Sequence, residues 1–222
     1  MTSVRAIRVV AAYFSCRVTQ PRHDFLELPN LFGTASTLPA GAAYFSHAVP
    51  EAESQALVER FETLPFKPFA FHGYLGNRRV VSFGWRYDYA GRALREADAI
   101  PEFLLPLRRT AASLAGVEAK GLQQALVTEY AKGAGIGWHR DKPMFEDVVA
   151  FSFVSACVLR FRREHDAGWE RTSLRVEPGS AYLLRGPSRR VWEHSIPAVQ
   201  ALRYSVTFRN FSPVKAPRPA RR

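Results

Sequence analysis

Cysteine is scarce in this 222-residue chain, which holds only Cys16 and Cys157. Two thiols make neither a disulfide framework nor a Cys-rich zinc module, so a reducing compartment, the cytoplasm, is expected. Cys157 sits in an apolar run, where a thiol simply packs. Long apolar runs are missing as well. Residues 9–14 follow Arg5 and Arg8 in a faintly signal-like order, but the run is short and Arg17 closes it. Nothing approaches the ~20 residues of a membrane span, which predicts a soluble protein with no membrane partner. Acid is the third shortage: 20 Asp and Glu stand against 31 Lys and Arg, for a formal charge of +11 and a pI near 10.2. That balance favours a polyanionic partner, although an Arg-rich composition carries no function by itself.

Apolar residues are plentiful. At 47% of the chain they suffice for one well-buried core but not for two large domains. Residues 1–40 carry irregular Pro, Gly and Thr signals and read as an N-terminal extension. Residues 213–222, basic and Pro-rich without acid, read as a disordered tail. A single domain is left at 41–212. Two helices are predicted within it. One covers residues 51–64, with Leu57, Phe61 and Leu64 on one face; the other follows Pro101, with Leu104, Leu107, Ala111 and Leu114 spaced for burial and Gly116 as a stop. From Leu122 the apolar period changes to two. Leu126, Thr128 and Tyr130 share a strand face, residues 148–154 and 157–162 read as a hairpin, and residues 174–184 read as two strands around Glu177-Pro-Gly-Ser. Residues 191–196 and 201–211 complete the set. Helices followed by many short strands predict an α+β, mainly β fold with a jelly-roll core.

Trp138-His-Arg-Asp141 follows Gly133-Ala-Gly-Ile-Gly137, a stretch that brings the chain sharply into a strand. On a strand His139 and Asp141 project to one face, so both can bind one ion, with His194 arriving from a later strand. Two imidazoles and one carboxylate on a face of an octahedral ion leave three positions open, the arrangement of non-haem Fe(II) oxygenases. A 2-oxo acid chelates through two of them and leaves one for O2. The pair alone is weakly specific, because six His and six Asp make a chance His-x-Asp roughly a one-in-six event. A surface His and Asp and a packed His194 are the plain alternatives. Arg203-Tyr-Ser-Val-Thr-Phe-Arg209 changes the odds. Its alternation puts Arg203, Ser205, Thr207 and Arg209 on one face, and Leu202, Tyr204, Val206 and Phe208 on the other. The apolar side packs. Two guanidinium groups beside a core cost on the order of several kcal/mol unless anions meet them, and a dicarboxylate supplies such charges. For this strand alone, a solvated outer face is the other reading.

In this order the residues resemble the AlkB family of Fe(II)- and 2-oxoglutarate-dependent dioxygenases. The family pattern is His-x-Asp, a distant His, then Arg with a second Arg six positions later, and it is met by His139, Asp141, His194, Arg203 and Arg209. The similarity runs over residues 80–211: Tyr130 and the Gly-rich loop precede the first ligand, residues 148–163 resemble the family's central hairpin, and Pro178-Gly-Ser leads toward the distal His. The resemblance implies a double-stranded β-helix in which His139, Asp141 and His194 hold Fe(II). It implies that Arg203 and Tyr130 bind the distal carboxylate of 2-oxoglutarate, with Arg209 near the other end. Thr128 and Ser205 stand where the family prototype has Asn, and each keeps a hydroxyl for hydrogen bonding. The implied reaction consumes O2 and 2-oxoglutarate, oxidises an alkyl C–H on a base nitrogen, and releases an aldehyde, succinate and CO2. No protein nucleophile is needed. The expected partner is alkylated DNA, or RNA, acted on by a monomer.

Ahead of the core, Phe83, Trp85, Tyr87 and Tyr89 recur at every second residue, with Arg86 between them and Arg78 and Arg79 before them. Such a segment can stack an extruded base and hold its phosphates; an aromatic core strand is the alternative. In position and character it resembles the family's nucleotide-recognition lid, here about residues 72–95. Family members acting on alkylated bases often carry an acid shortly after the motif Asp, whereas Lys142 and Pro143 follow Asp141, with Glu146 and Asp147 out of register. Base preference is left open. Arg185, Arg189 and Arg190 are candidate phosphate contacts. His139-Arg-Asp141 also resembles the kinase catalytic loop, but no Gly-rich nucleotide loop, matching Lys or Asp-Phe-Gly follows in kinase order. Two further functions compete with dealkylation: the same chemistry on a protein side chain, and nucleic-acid binding without turnover. Lid aromatics and charge weigh against the first, the ligand set and paired Arg against the second.

Overall fold

The computed structural model describes residues 38–71, 74–88, 91 and 93–212. Tyr89, most of the N-terminal extension and the basic tail lie outside the described residues. Helix α1 (Glu51–Glu62) carries Glu51 and Glu53 in its first turn and Arg60 in its last, charges that complement the helix dipole. Helix α2 (Leu105–Ala115) has Pro106 in its first turn and ends on Gly116 at φ 63°, where a side chain would be strained. Both stand where the apolar spacing places them.

Thirteen strands are found in the described residues: β1 (Ala42–Phe45), β2 (Lys67–Phe71), β3 (Tyr74–Phe83), β4 (Trp85–Asp88), β5 (Ala93–Glu96), β6 (Leu122–Tyr130), β7 (Ile136–His139), β8 (Phe145–Phe153), β9 (Cys157–His165), β10 (Gly168–Val176), β11 (Ala181–Leu184), β12 (Glu193–Ile196) and β13 (Arg203–Phe211), with a short helix α3 (Gly186–Arg190) between β11 and β12. Seven form a major sheet in the order β1-β11-β8-β13-β6-β3-β2, four a minor sheet in the order β10-β9-β12-β7, and β4 pairs with β5. Neighbouring strands are antiparallel. The result is the expected mainly β, jelly-roll architecture.

The predicted hairpin of residues 148–162 does not form. β8 belongs to the major sheet and β9 to the minor one, and the chain changes sheet at Val154, a β-branched residue at φ 73°. Such a conformation is a genuine outlier for valine, and it marks the corner. The hairpin partner of β9 is β10. Likewise the two strands around Glu177-Pro-Gly-Ser lie in different sheets. Sequence periodicity reports that a strand exists and which way its faces alternate, but not which strand it pairs with.

The major sheet is buried on both sides. One face packs under the helices, where Phe61 meets Phe153 edge-on at 5.2 Å and Tyr204 at 5.6 Å. The other face meets the minor sheet through Val148, Ala150, Leu159, Phe161, Tyr182 and Leu184. Polar groups found between the sheets therefore need partners.

Candidate metal centre

β7 and β12 are neighbours, and His139 stands directly opposite His194. Side chains opposite each other share a face, so the two imidazoles meet with ring centroids 4.3 Å apart and planes inclined at 56°. The Gly-rich loop makes this approach possible: a Cβ on Gly135 would lie 2.7 Å from the Ile196 carbonyl oxygen. Gly133 N donates to Val199 O, and Val199 N returns a bond to Ala134 O, both at 2.8 Å. Asp141, just past the end of β7, turns its Oδ2 to within 3.7 Å of His194 Nε2. Its Oδ1 accepts from Arg209 at 2.8 Å.

The protonation states suit a cation. Burial pushes the His139 imidazole below its ordinary value, and burial with His139 alongside takes His194 down to about 3. Both rings are therefore neutral and have a lone pair to give. His139 Nδ1 lies 2.9 Å from the Gly137 carbonyl; donating there leaves Nε2 for a ligand. Burial by itself would raise Asp141, but the guanidinium of Arg209, with Arg189 beyond it, outweighs this and holds the carboxyl ionised, well below the usual carboxylate range. Two neutral imidazoles and one carboxylate fit Fe(II).

Arg203 supplies the second observation. It is completely buried, its Nε donates to Ser152 Oγ at 3.0 Å, and both terminal nitrogens have no partner among the described residues. Its guanidinium lies 5.1 Å from the centre of the Tyr130 ring, its direct partner on β6. Burial pushes the Tyr182 phenol up, and Arg203 acts on it in the opposite sense, which places Tyr182 among the neighbours of the same cation. A buried fork with two unpartnered N–H edges fits a carboxylate. Ser205 stands opposite Thr128 on one side and Ser152 on the other, a row of three buried hydroxyls beside Arg203. At the far end of the strand Arg209 bonds Gln124 at 3.1 Å as well as Asp141. The alternative of a solvated strand face is thus excluded.

The lid residues separate. Gly84, at φ 72°, breaks the alternation, because a Cβ there would strike the Gln123 carbonyl. Phe83 consequently enters the helix-side core. Trp85 meets Phe211 edge-on at 5.6 Å, Phe211 stacks on Phe145, and Phe145 lies under Arg209. Lys142, next to Asp141, holds its ammonium 4.5 Å from the Tyr87 ring. Trp85 is thus linked to Arg209 through two intervening rings, and Tyr87 touches the residue that follows Asp141. Arg78 lies over Phe69 and is close enough to His139 to act on it electrostatically. Arg86 is exposed on β4. Arg79, on the opposite face of β3 from Arg78, is gripped by both carboxylate oxygens of Glu129, so its position is that of a structural ion pair. The three suggested phosphate contacts are also engaged: Arg185 by Asp147, Arg190 by Glu146, and Arg189 by the carbonyls of Lys142 and Phe145.

Sequence reading missed Ser152 and Tyr182, and it offered Arg189 as a phosphate contact where the structure buries it beside Asp141. Ser152 left a trace, a lone hydroxyl inside the apolar run Val148-Val-Ala-Phe-Ser-Phe153. The burial of Arg189 left no trace in the sequence, since it follows from the packing of α3 against β8.

Residues 41–209 match the profile of the 2OG-Fe(II) oxygenase superfamily. The chain is 27% identical over 147 residues to the alkylated DNA repair protein ALKBH8 homolog of Arabidopsis thaliana, a match covering 55% of this chain and 42% of that one. It is 28% identical over 100 residues to the uncharacterized protein L905 of Acanthamoeba polyphaga mimivirus, covering 39% and 47%. The chain thus spans less than half the length of either curated relative. Among solved structures, OsALKBH1 shares the fold with a TM-score of 0.58 at 17% identity, over 78% of this chain and 98% of that one. The meeting of His139, Asp141 and His194, a buried Arg with two unpartnered nitrogens, and these likenesses agree: the chain belongs to the 2OG-Fe(II) oxygenase superfamily, with AlkB-type proteins as its relatives.

Proposed function

We propose that the protein is a monomeric Fe(II)- and 2-oxoglutarate-dependent oxygenase that oxidatively removes alkyl groups from the bases of DNA or RNA. The observation that carries this reading is the joint placement, on one strand face, of Arg209 against the ligand carboxylate and Arg203 with its two unpartnered nitrogens. His139, Asp141 and His194 hold the metal; Arg203, with Tyr130, Thr128 and Ser205 beside it, holds the far carboxylate of the cosubstrate. Bound together, Fe(II), 2-oxoglutarate and O2 supply the oxidising power: one oxygen atom leaves in succinate, with CO2 released, and the other enters the alkyl C–H bond, after which the alkyl carbon departs as an aldehyde. Arg209 keeps Asp141 ionised and aimed. The buried walls keep bulk water from the reacting atoms.

Support for a nucleic-acid substrate comes from Trp85 and Tyr87 near the centre, from the formal charge of +11, and from the name of the Arabidopsis relative. Among the described residues no helix is long and apolar enough to cross a membrane. Anaerobic Fe(II) with 2-oxoglutarate is expected to give a weak visible charge-transfer band that His139→Ala abolishes; metal-loaded protein without the band would remove the iron assignment. Oligonucleotides carrying N-alkyl or etheno lesions, incubated with enzyme, Fe(II) and 2-oxoglutarate, should lose the lesion mass. Lesions unchanged in both DNA and RNA would favour oxidation of a protein side chain.

A further inference from the structure

The minor sheet turns one face to the metal centre and the other outward, and the outward face carries its own pattern. Along β7 the residues alternate: His139 points in, Trp138 points out, and Arg140 reaches Glu193 at 3.6 Å. Arg160 and Arg162 of β9 lie over the Trp138 ring at 5.0 and 4.5 Å, and Arg162 lies over the exposed Trp169 of β10 at 4.3 Å. Arg171 stands directly opposite Arg162. Like charges in that relation repel, and Glu193, bonded to Arg162 at 2.7 Å from the other side, answers only one of them. Arg175 is met by Glu177, and Glu164 stands opposite Trp169. Cations outnumber carboxylates on this face.

We propose that this outer face is a track for single-stranded nucleic acid, a reading that rests on the nucleic-acid substrate proposed above. Arg160 and Arg162 use Nε within the chain, on Ser195 and Glu193, and their terminal nitrogens are the groups that can meet phosphate oxygens. An exposed Trp offers a base a stacking surface without regard to sequence. The Arg171–Arg162 opposition is relieved when a phosphodiester lies between them. β7 is the edge strand of the minor sheet, and the same short segment that carries His139 and Asp141 inward carries Trp138 and Arg140 outward. A polynucleotide with one base at the metal centre continues round this edge onto the face.

The test is fluorescence anisotropy with unmodified, end-labelled single strands of about 20 nucleotides, long enough to cover the face. Trp169→Ala should weaken binding about tenfold, the equivalent of one stacked base. The pair Arg160→Gln with Arg171→Gln should make the salt dependence shallower by roughly 1.4 in log–log slope, about 0.7 for each phosphate no longer neutralised. Arg171→Lys should restore its share, which separates charge from packing. Affinity and slope unchanged in all variants would overturn the proposal, as would loss of binding to phosphatidylserine vesicles with oligonucleotide binding intact. Failure of the parent reading looks different: a protein that binds strands through these residues yet dealkylates none keeps the track. A protein that dealkylates strands with KM unaffected by the variants keeps the function and loses the track.

Discussion

The two ends of β13 carry the same residue type on the same face, yet their electrostatic situations are opposite. Arg209 has both terminal nitrogens met within the chain, by Asp141 and Gln124, and only its Nε is without a partner among the described residues. Arg203 is more deeply buried and has one partner, Ser152, on its Nε. A buried charge lacking a counter-ion destabilises the protein that contains it. Arg209 thus belongs to the architecture of the candidate metal centre. Arg203 is a buried cation with two unpartnered terminal nitrogens, and the dicarboxylate proposed above would supply the missing anion.

The contrast can be broken most forcefully at the Arg209 end. Asp141→Ala removes the proposed metal ligand and the partner of Arg209 together. We expect succinate formation to vanish and unfolding free energy in urea to fall by about 3–5 kcal/mol, the cost of stranding one member of a buried pair. Unchanged urea stability would show that Arg209 is not held by Asp141. Exchanging each Arg for Met sharpens the comparison. Arg209→Met should destabilise the ligand-free protein, whereas Arg203→Met should be neutral or stabilising by about 1–4 kcal/mol, because it deletes an uncompensated charge. Cosubstrate at 100 times its Kd should stabilise the metal-loaded wild type by about 2.7 kcal/mol and leave Arg203→Met unmoved. Equal destabilisation by the two Met variants would refute the distinction. The smallest effect is expected at Ser152→Ala, which frees the Arg203 fork. Cosubstrate affinity measured by calorimetry should drop about three- to tenfold, the equivalent of one hydrogen bond.

The strands that build the site were legible because alternation is a local property. The apolar face of Tyr204, Val206 and Phe208 and the polar face of Arg203, Ser205 and Thr207 follow from the two-residue period of a strand, wherever that strand lies. Helix ends were equally legible, since Pro106 and Gly116 act within one turn. The lid was legible only in part. Phe83 joins the pattern of Trp85 and Tyr87 in sequence, but Gly84 rotates the chain between them and sends Phe83 into the core. Arg79 and Arg78 are adjacent and look equivalent, yet a strand puts them on opposite faces, and Glu129 holds the first.

By itself the sequence determined the types and order of the chemical groups: His139, Asp141 and His194 as candidate metal ligands, Tyr130, Arg203 and Arg209 as candidate contacts for an acidic cosubstrate, and a surplus of positive charge. Only the tertiary structure decided which of them meet. His139 and His194 lie far apart along the chain and become neighbours because β7 pairs with β12. Residues 148–162, which read as a hairpin, instead divide between two sheets. Ser152 acquires a role because β8 pairs with β13 and brings its hydroxyl to Arg203. Pairing depends on contacts between distant segments, and a two-residue period is the same in every register that preserves the faces.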